Sequence, residues 1–271
     1  MNNNQLSAEY KEHQVFEVLK DIRDLYEFIS QNSFGFLPTG LPEEWINIDT
    51  YISSSMRGTI DAMALLLGDA FINDAFALLR KYFDEVMVSI FYSVYSEDQI
   101  DKNSDKFLYT VEKLKRWTHG KEPSPRYYDT LKYLKRSNRF KALLEMFNFD
   151  GENGYKTIRD FLDDNMHLNS YRMFINNDNE IVNESRVKLL SLYSNYLKSI
   201  FLFHYTSVIY LKPLYIMSTD YRDCMDCGKT PPESSQYWVA PIADKMFVKY
   251  IKPKKDIAIF LKDCTDMGFS F

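Results

Sequence analysis

The sequence predicts a mainly α-helical bundle of about six to eight helices, with one small β-hairpin and a short C-terminal helical cap. Three observations predict it. Apolar residues recur at three- and four-residue spacing over long stretches, which is the period of a helix face. Gly and Pro number only nine each in 271 residues, too few for the regular turns of a many-stranded β fold. Hydrophobic residues make up 45% of the chain and include twenty Tyr and twenty Phe, enough to bury a substantial core without metal or disulfide support.

In chain order, the first helix spans residues 7 to about 31. Val15, Leu19, Ile22, Tyr26 and Ile29 form its apolar stripe, and Ser7 caps it. Residues 32–42 hold Gly35, Pro38, Gly40 and Pro42 and read as a loop. Pro42 suits the first turn of a second helix, with Glu43 and Glu44 at its positive end. That helix runs to about Gly68 and buries Met56, Ile60, Met63 and Leu67. A third helix, about 74–96, is capped by Asn73 or Asp74 and is apolar on most sides, as a central helix would be. Its interior nevertheless carries Arg80, Lys81, Asp84 and Glu85, with Arg80 and Asp84 one turn apart.

Residues 104–118 form a fourth helix closed by Gly120, and about 126–147 a fifth. After the turn at 150–154, a helix over 155–171 carries Arg159, Asp160, Asp163, Asp164, Asn165 and His167. Residues 171–175 and 180–182, separated by Asn176-Asn177-Asp178-Asn179, read as the hairpin. A long apolar helix covers about 184–217, ended or kinked by Pro213. Residues 224–236 read as a loop, and short helices follow at about 241–250 and 254–265. The expected division is a helical bundle over 1–218 with a loop and short helices over 219–271 packed on it.

The net charge of −5 excludes a wholly basic nucleic-acid-binding surface but not a local one. Lys113, Lys115, Arg116, Lys121, Arg126, Lys132, Lys135, Arg136, Arg139 and Lys141 face only Glu122 and Asp129 in the same stretch. That local charge of +8 leaves −13 for the rest of the chain. Trp117, Tyr127, Tyr128, Tyr133 and Phe140 are interleaved with the cations. Cations beside aromatic faces suit single-stranded RNA or DNA, through phosphate contacts and base stacking. The same charge would dock an acidic protein, including an acidic surface of a second copy. The plainer alternative is a solvated face whose aromatics pack inward.

Arg159, Asp163 and His167 climb one helix face at four-residue spacing. A carboxylate beside an imidazole orients it and favours its charged form, which a general acid or base needs. Asn165 would meet a phosphate or a substrate amide. The alternative is a surface helix with His167 as a C-terminal cation on the helix dipole.

Two segments together resemble the HEPN superfamily in its broad sense. They are Leu78-Leu79-Arg80-Lys81-Tyr82-Phe83-Asp84-Glu85 on the central helix and Asp163-Asp164-Asn165-Met166-His167 on a later one. The resemblance covers about residues 70–210. It implies a helical bundle that dimerises and acts as a metal-independent ribonuclease in anti-phage defence or a toxin–antitoxin system. On that reading His167 moves protons and Arg159, or Arg80 from the other helix, stabilises the phosphate. Here Arg159 and Asp160 are followed by six residues before His167, a longer spacing than the family's catalytic signature. The reading from another class is a non-catalytic helical partner subunit of a defence or regulatory complex.

No cofactor is required by either reading. Cys224-Met225-Asp226-Cys227 is a C-x-x-C pair that would offer two thiolates to zinc, with Cys264 or a histidine completing the set; two ordinary loop cysteines are the alternative. Three cysteines, an odd number, argue against a disulfide framework and fit a reducing cytoplasm. Met1-Asn2-Asn3-Asn4-Gln5 lacks the basic and apolar runs of a secretion signal. The most apolar windows, 86–94 and 200–216, are too short or too interrupted to span a bilayer. The chain has no Gly-rich dinucleotide loop, phosphate-binding P-loop, zinc-protease H-E-x-x-H or hydrolase G-x-S-x-G.

Overall fold

Ser7 begins the first helix as the sequence predicts: its hydroxyl accepts the Tyr10 amide at 3.2 Å. That helix, α1 (Ala8–Lys11), lasts one turn. His13 then accepts the Val15 amide on Nδ1 at 3.2 Å and starts a second helix, α2 (Val15–Ser33). The computed structural model describes residues 6–33, 48–100, 104–152, 154–178, 185–230 and 238–271. The expected helix start at Pro42, with Glu43 and Glu44, lies outside these residues.

The elements continue as α3 (Ile48–Gly68), α4 (Ile72–Ile100), α5 (Ser104–Thr118), α6 (Tyr127–Arg136), α7 (Asn138–Met146), α8 (Tyr155–Met166), α9 (Arg172–Ile175) and α10 (Arg186–Leu211). A 3₁₀ turn (Pro213–Ile216) follows, at the proline expected to end the long helix. Then come α11 (Thr219–Asp226), α12 (Pro241–Met246) running into a π turn (Phe247–Ile251), and α13 (Lys255–Cys264).

Two features of the predicted fold are corrected. The described residues form about a dozen helices rather than six to eight, and they contain no strand and no hairpin. The extra helices come from breaks within the first and fifth predicted helices and from two short helices, at 172–175 and 219–226, where none was expected. In the predicted fifth helix, Ser137 adopts an extended backbone and separates α6 from α7. Thr130 and Leu134 are buried before it, and Phe140, Leu143 and Leu144 after it.

The expected first hairpin strand, 171–175, is instead α9, with backbone bonds from Phe174 to Tyr171 and from Asn176 to Arg172 at 3.1 Å each. The expected second strand, 180–182, lies outside the described residues. Asn177, expected in the hairpin turn, reaches across to another helix. Its side-chain oxygen accepts the Asn73 amide at 2.8 Å and the Asp74 amide at 3.2 Å. It thereby caps α4, a role that neither Asn73 nor Asp74 fills from within the helix.

Helix α4 is central, packing against α3, α5, α6, α8 and α10. Phe76, Leu79, Tyr82, Phe83, Val86, Met87 and Ile90 are all buried along it. A polar chain crosses the core between α2, α4 and α10. Tyr26 pairs its hydroxyl with that of Tyr82, and its oxygen lies 2.7 Å from Nδ1 of His204. Nε2 of His204 lies 3.0 Å from the Ser89 hydroxyl. The C-terminal elements share this core: Ala243, Met246, Phe247, Ile251 and Leu261 belong to the same buried cluster as α2 and α10. The Tyr205 hydroxyl donates to the Ala243 carbonyl at 2.7 Å and fixes α12 on α10. Among the described residues, no helix is long and apolar enough to cross a membrane.

Candidate functional site

Arg80 is the buried charge around which the candidate site is built, with its side chain only 7% exposed. Position 80 sits on the α4 face turned to α8, which is why a guanidinium enters an otherwise apolar interior. A buried cation needs paired carboxylates, since isolated burial is costly. Two supply it. Nε donates to Oδ1 of Asp163, and NH1 forms an ion pair with Asp84 one turn along α4. Burial alone would lower the Arg80 pKa, but Asp163 and Asp84 outweigh it and hold it above the ordinary value.

Asp163 is shared. Its Oδ2 accepts NH1 of Arg159 at 2.7 Å. The Arg159 guanidinium lies over the Tyr127 ring, 4.0 Å from its centroid, and near the Tyr128 ring at 5.7 Å. Burial pushes the Tyr127 hydroxyl up to about 12 against the opposing pull of Arg159. Helices α4, α8 and α6 are therefore tied through one chain: Asp84, Arg80, Asp163, Arg159, Tyr127. Its two cations and two anions neutralise each other.

A cleft of about 350 Å³ opens beside this chain between α3, α4 and the end of α8. Arg80, Asp84, Ile52, Val88 and Met166 contribute to its walls. Its other charges are paired as well. Glu85 accepts the Ser55 hydroxyl at 2.8 Å and meets Lys81 at 3.4 Å, and Lys81 donates to Thr59 at 3.0 Å.

Three of the four residues predicted for catalysis, Arg80, Arg159 and Asp163, are thus brought together. His167 is not among them. It is the C-cap of α8, exposed, and its imidazole makes no hydrogen bond or ion pair among the described residues. Asp164 bonds to Asn169 at 2.8 Å. Asn165 is buried and donates to the Phe161 carbonyl at 2.8 Å, so its amide serves the helix.

The basic stretch divides into paired and free cations. Arg116 pairs with Glu122 at 2.8 Å, Lys135 with Asp150 at 2.7 Å, Arg139 with Glu97 at 2.5 Å and Lys141 with Glu145 at 3.8 Å. Lys113 lies over the Trp117 ring, 5.2 Å from its centroid. Lys121, Arg126, Lys132 and Arg136 are exposed and make no ion pair among the described residues. Trp117 and Phe140 are buried, Trp117 in a second cluster with Phe91, Tyr92 and Tyr95. Of the interleaved aromatics, Tyr128 presents the most open face, at 73% exposure.

Cys224 falls on α11 rather than in the expected loop, and Cys227 follows the helix. Both are free, as is Cys264 at the end of α13. No group of three or more His, Cys, Asp or Glu side chains among the described residues is placed to hold a metal ion. His204 and His13 are committed elsewhere, to the buried chain above and to the start of α2.

No protein-family model matches the chain, and searches among characterised proteins and solved structures return no match.

Sequence reasoning missed one surface. Met166 (55%), Leu168 (42%), Tyr171 (79%), Phe174 (55%) and Ile175 (39%) are exposed within ten consecutive residues. The Tyr171 and Phe174 rings lie 6.0 Å apart. The signal was present in the run of large apolar residues after His167. Reading 171–175 as a strand assigns half of them to a sheet face that does not exist.

Proposed function

We propose that this chain is a non-catalytic helical subunit that works by docking a second protein chain, and that the chain it docks is another copy of itself. The observation that carries this reading is the exposed apolar surface at 166–175. Large apolar side chains are scattered singly on most soluble surfaces, whereas here five are exposed within ten residues, two of them rings 6.0 Å apart, a density that favours an interface. The ion chain beside it supports the same reading. Asp163 is already held by two guanidiniums, and His167 stands apart from it, so no poised acid–base pair remains.

Charge favours a second copy as the occupant. Arg126, at the start of α6 beside Tyr127, and Lys132 and Arg136 along the same helix make no ion pair among the described residues. Asp164, exposed on α8, flanks the apolar surface, and Asp160 earlier on that helix is shared with Lys156 at 3.6 Å. A two-fold interface brings one patch against the same patch in the partner, and its rims meet crosswise. Cations of one copy then face acids of the other.

A second reading rests on a different observation. Tyr128, Lys132 and Arg136 stand at four-residue spacing on the exposed face of α6, a base-stacking ring followed by two free cations. That arrangement supports binding of single-stranded RNA, and with His167 it is what remains of the HEPN-like ribonuclease expectation.

Sedimentation velocity tests both. The wild-type chain is expected to sediment as a dimer at tens of micromolar, about the range set by a modest interface, and Phe174→Ser as a monomer. A wild-type monomer throughout would overturn the proposal. If a labelled single-stranded RNA cosediments and is released by Lys132→Ala with Arg136→Ala, the second reading gains. RNA shortened by wild type but not by His167→Ala, with or without EDTA, would establish the ribonuclease.

A further inference from the structure

A second cleft, of about 490 Å³, lies apart from the ion chain, where the start of α2, the middle of α10 and the π turn meet. Three ammonium groups line it: Lys198 from α10, Lys249 from the π turn and Lys254 just before α13. They are not equivalent. Lys249 is saturated by two carboxylates, Glu17 at 2.5 Å and Asp21 at 2.6 Å. Asp21 is further held by the Tyr250 hydroxyl at 3.0 Å and by Lys245 at 3.6 Å.

Lys198 makes no ion pair among the described residues, although Glu17 stands on the same cleft wall. Its ammonium donates to a neutral amide oxygen, Oε1 of Gln14, at 3.0 Å. Lys254 is exposed and makes no ion pair among the described residues. Of the described residues on the cleft wall, only Glu17 carries a carboxylate, and Lys249 already occupies it. The cleft therefore carries two ammonium groups that make no ion pair among the described residues, in a chain whose overall charge is −5.

We propose that this cleft binds a small phosphorylated molecule, with its phosphate held between Lys198 and Lys254. The remaining wall explains what else the ligand carries. Asn195, Ser199 and Gln14 offer donors and acceptors, while Leu202, Val18 and the Tyr250 ring offer an apolar flank. A polar body of sugar or nucleoside size fits a space of this volume. Burial and the neighbouring Lys249 disfavour the charged form of Lys198 and outweigh the pull of Glu17, lowering its pKa. A bound anion supplies the missing countercharge, so binding and protonation of Lys198 reinforce each other. This site is independent of the docking surface at 166–175.

Isothermal titration calorimetry of the full chain with inorganic phosphate and with adenosine monophosphate, at ionic strength matched with sodium chloride, tests the proposal. Saturable binding of at least one probe is expected, with adenosine monophosphate tighter if the flank is used. Lys198→Met and Lys254→Ala are each expected to weaken it about tenfold, whereas Lys229→Ala, at an exposed lysine outside every surface described above, leaves it unchanged. Thermal unfolding checks the variants: Lys198→Met removes a repelled ammonium and keeps its stem, so it remains folded. Absence of saturable binding to either probe overturns the proposal, as does binding that survives both lysine substitutions in the folded variants.

Discussion

Replacing Asp163 with alanine is expected to destabilise the fold by about 3 kcal/mol, toward the lower end of the cost of breaking a buried ion pair. The partner left behind decides the size. Arg80 is 7% exposed in its side chain and would keep only Asp84, whose own side chain is 45% exposed. Arg159 would lose its carboxylate too, although the Tyr127 ring still covers it. Asp163 is itself 29% exposed, so water can enter the vacated space and moderate the loss. Urea unfolding of Asp163→Ala measures it. Replacing Arg80 and Asp163 together with Met and Leu should cost less than the sum of the two single changes, because Arg80 is no longer left buried without its carboxylate, while Arg159 keeps the Tyr127 ring and Asp84 is 45% exposed. Additive losses would mean that the two residues do not interact.

The second large effect is acid lability centred on His204. Burial lowers its pKa from 6.5 to about 3, and its contacts are the hydroxyls of Tyr26 and Ser89. The folded state keeps the imidazole neutral, whereas the unfolded chain protonates it near 6.5. The unfolded state then binds more protons, so stability falls as pH drops below 6.5 and the fall ends near 3. Between pH 7 and pH 5 the loss is about 2 kcal/mol, and over the whole window about 4 kcal/mol. Asp21 acts in a lower window. Burial raises its pKa, but Lys249 and Tyr250 hold it below 3.8, so its contribution is lost only in stronger acid. His13 shifts in the same direction as His204, through burial and Lys198, but is only partly buried. Denaturation at pH 7 and pH 5 should therefore show a flattened dependence in His204→Gln and a largely retained one in His13→Gln. An unchanged slope in His204→Gln would contradict the assignment.

Local periodicity made most of the helices legible, because a buried stripe at helical spacing is recorded in neighbouring residues. The stripe Met56, Ile60, Met63 and Leu67 is wholly buried, and Pro213 does end α10. What failed depended on distant partners. Asn177 looks like a hairpin turn because Asx residues favour turns, and nothing nearby in sequence reveals that it caps a helix about a hundred positions earlier. The break at Ser137 was not readable, since Thr130, Leu134, Phe140 and Leu144 would share one face of an unbroken helix. The candidate site was half legible. Arg80 with Asp84, and Arg159 with Asp163, are one-turn pairs visible in the sequence. The joint between them, Arg80 to Asp163, spans 83 positions and belongs to the packing of α4 on α8. That joint also turns Asp163 away from the role of orienting His167. The lysine cleft was not legible at all, because Gln14, Lys198 and Lys254 come from three distant segments.

Hydrogen exchange followed at two protein concentrations tests the docking claim most directly. If residues 166–175 form the face between two copies, their amides should exchange at least about tenfold more slowly at a concentration where the chain is dimeric than at one where it is monomeric. Amides of α13, which carries the isolated exposed Ile259, should not change. Equal exchange across 166–175 at both concentrations, with dimers present at the higher one, would contradict the docking claim.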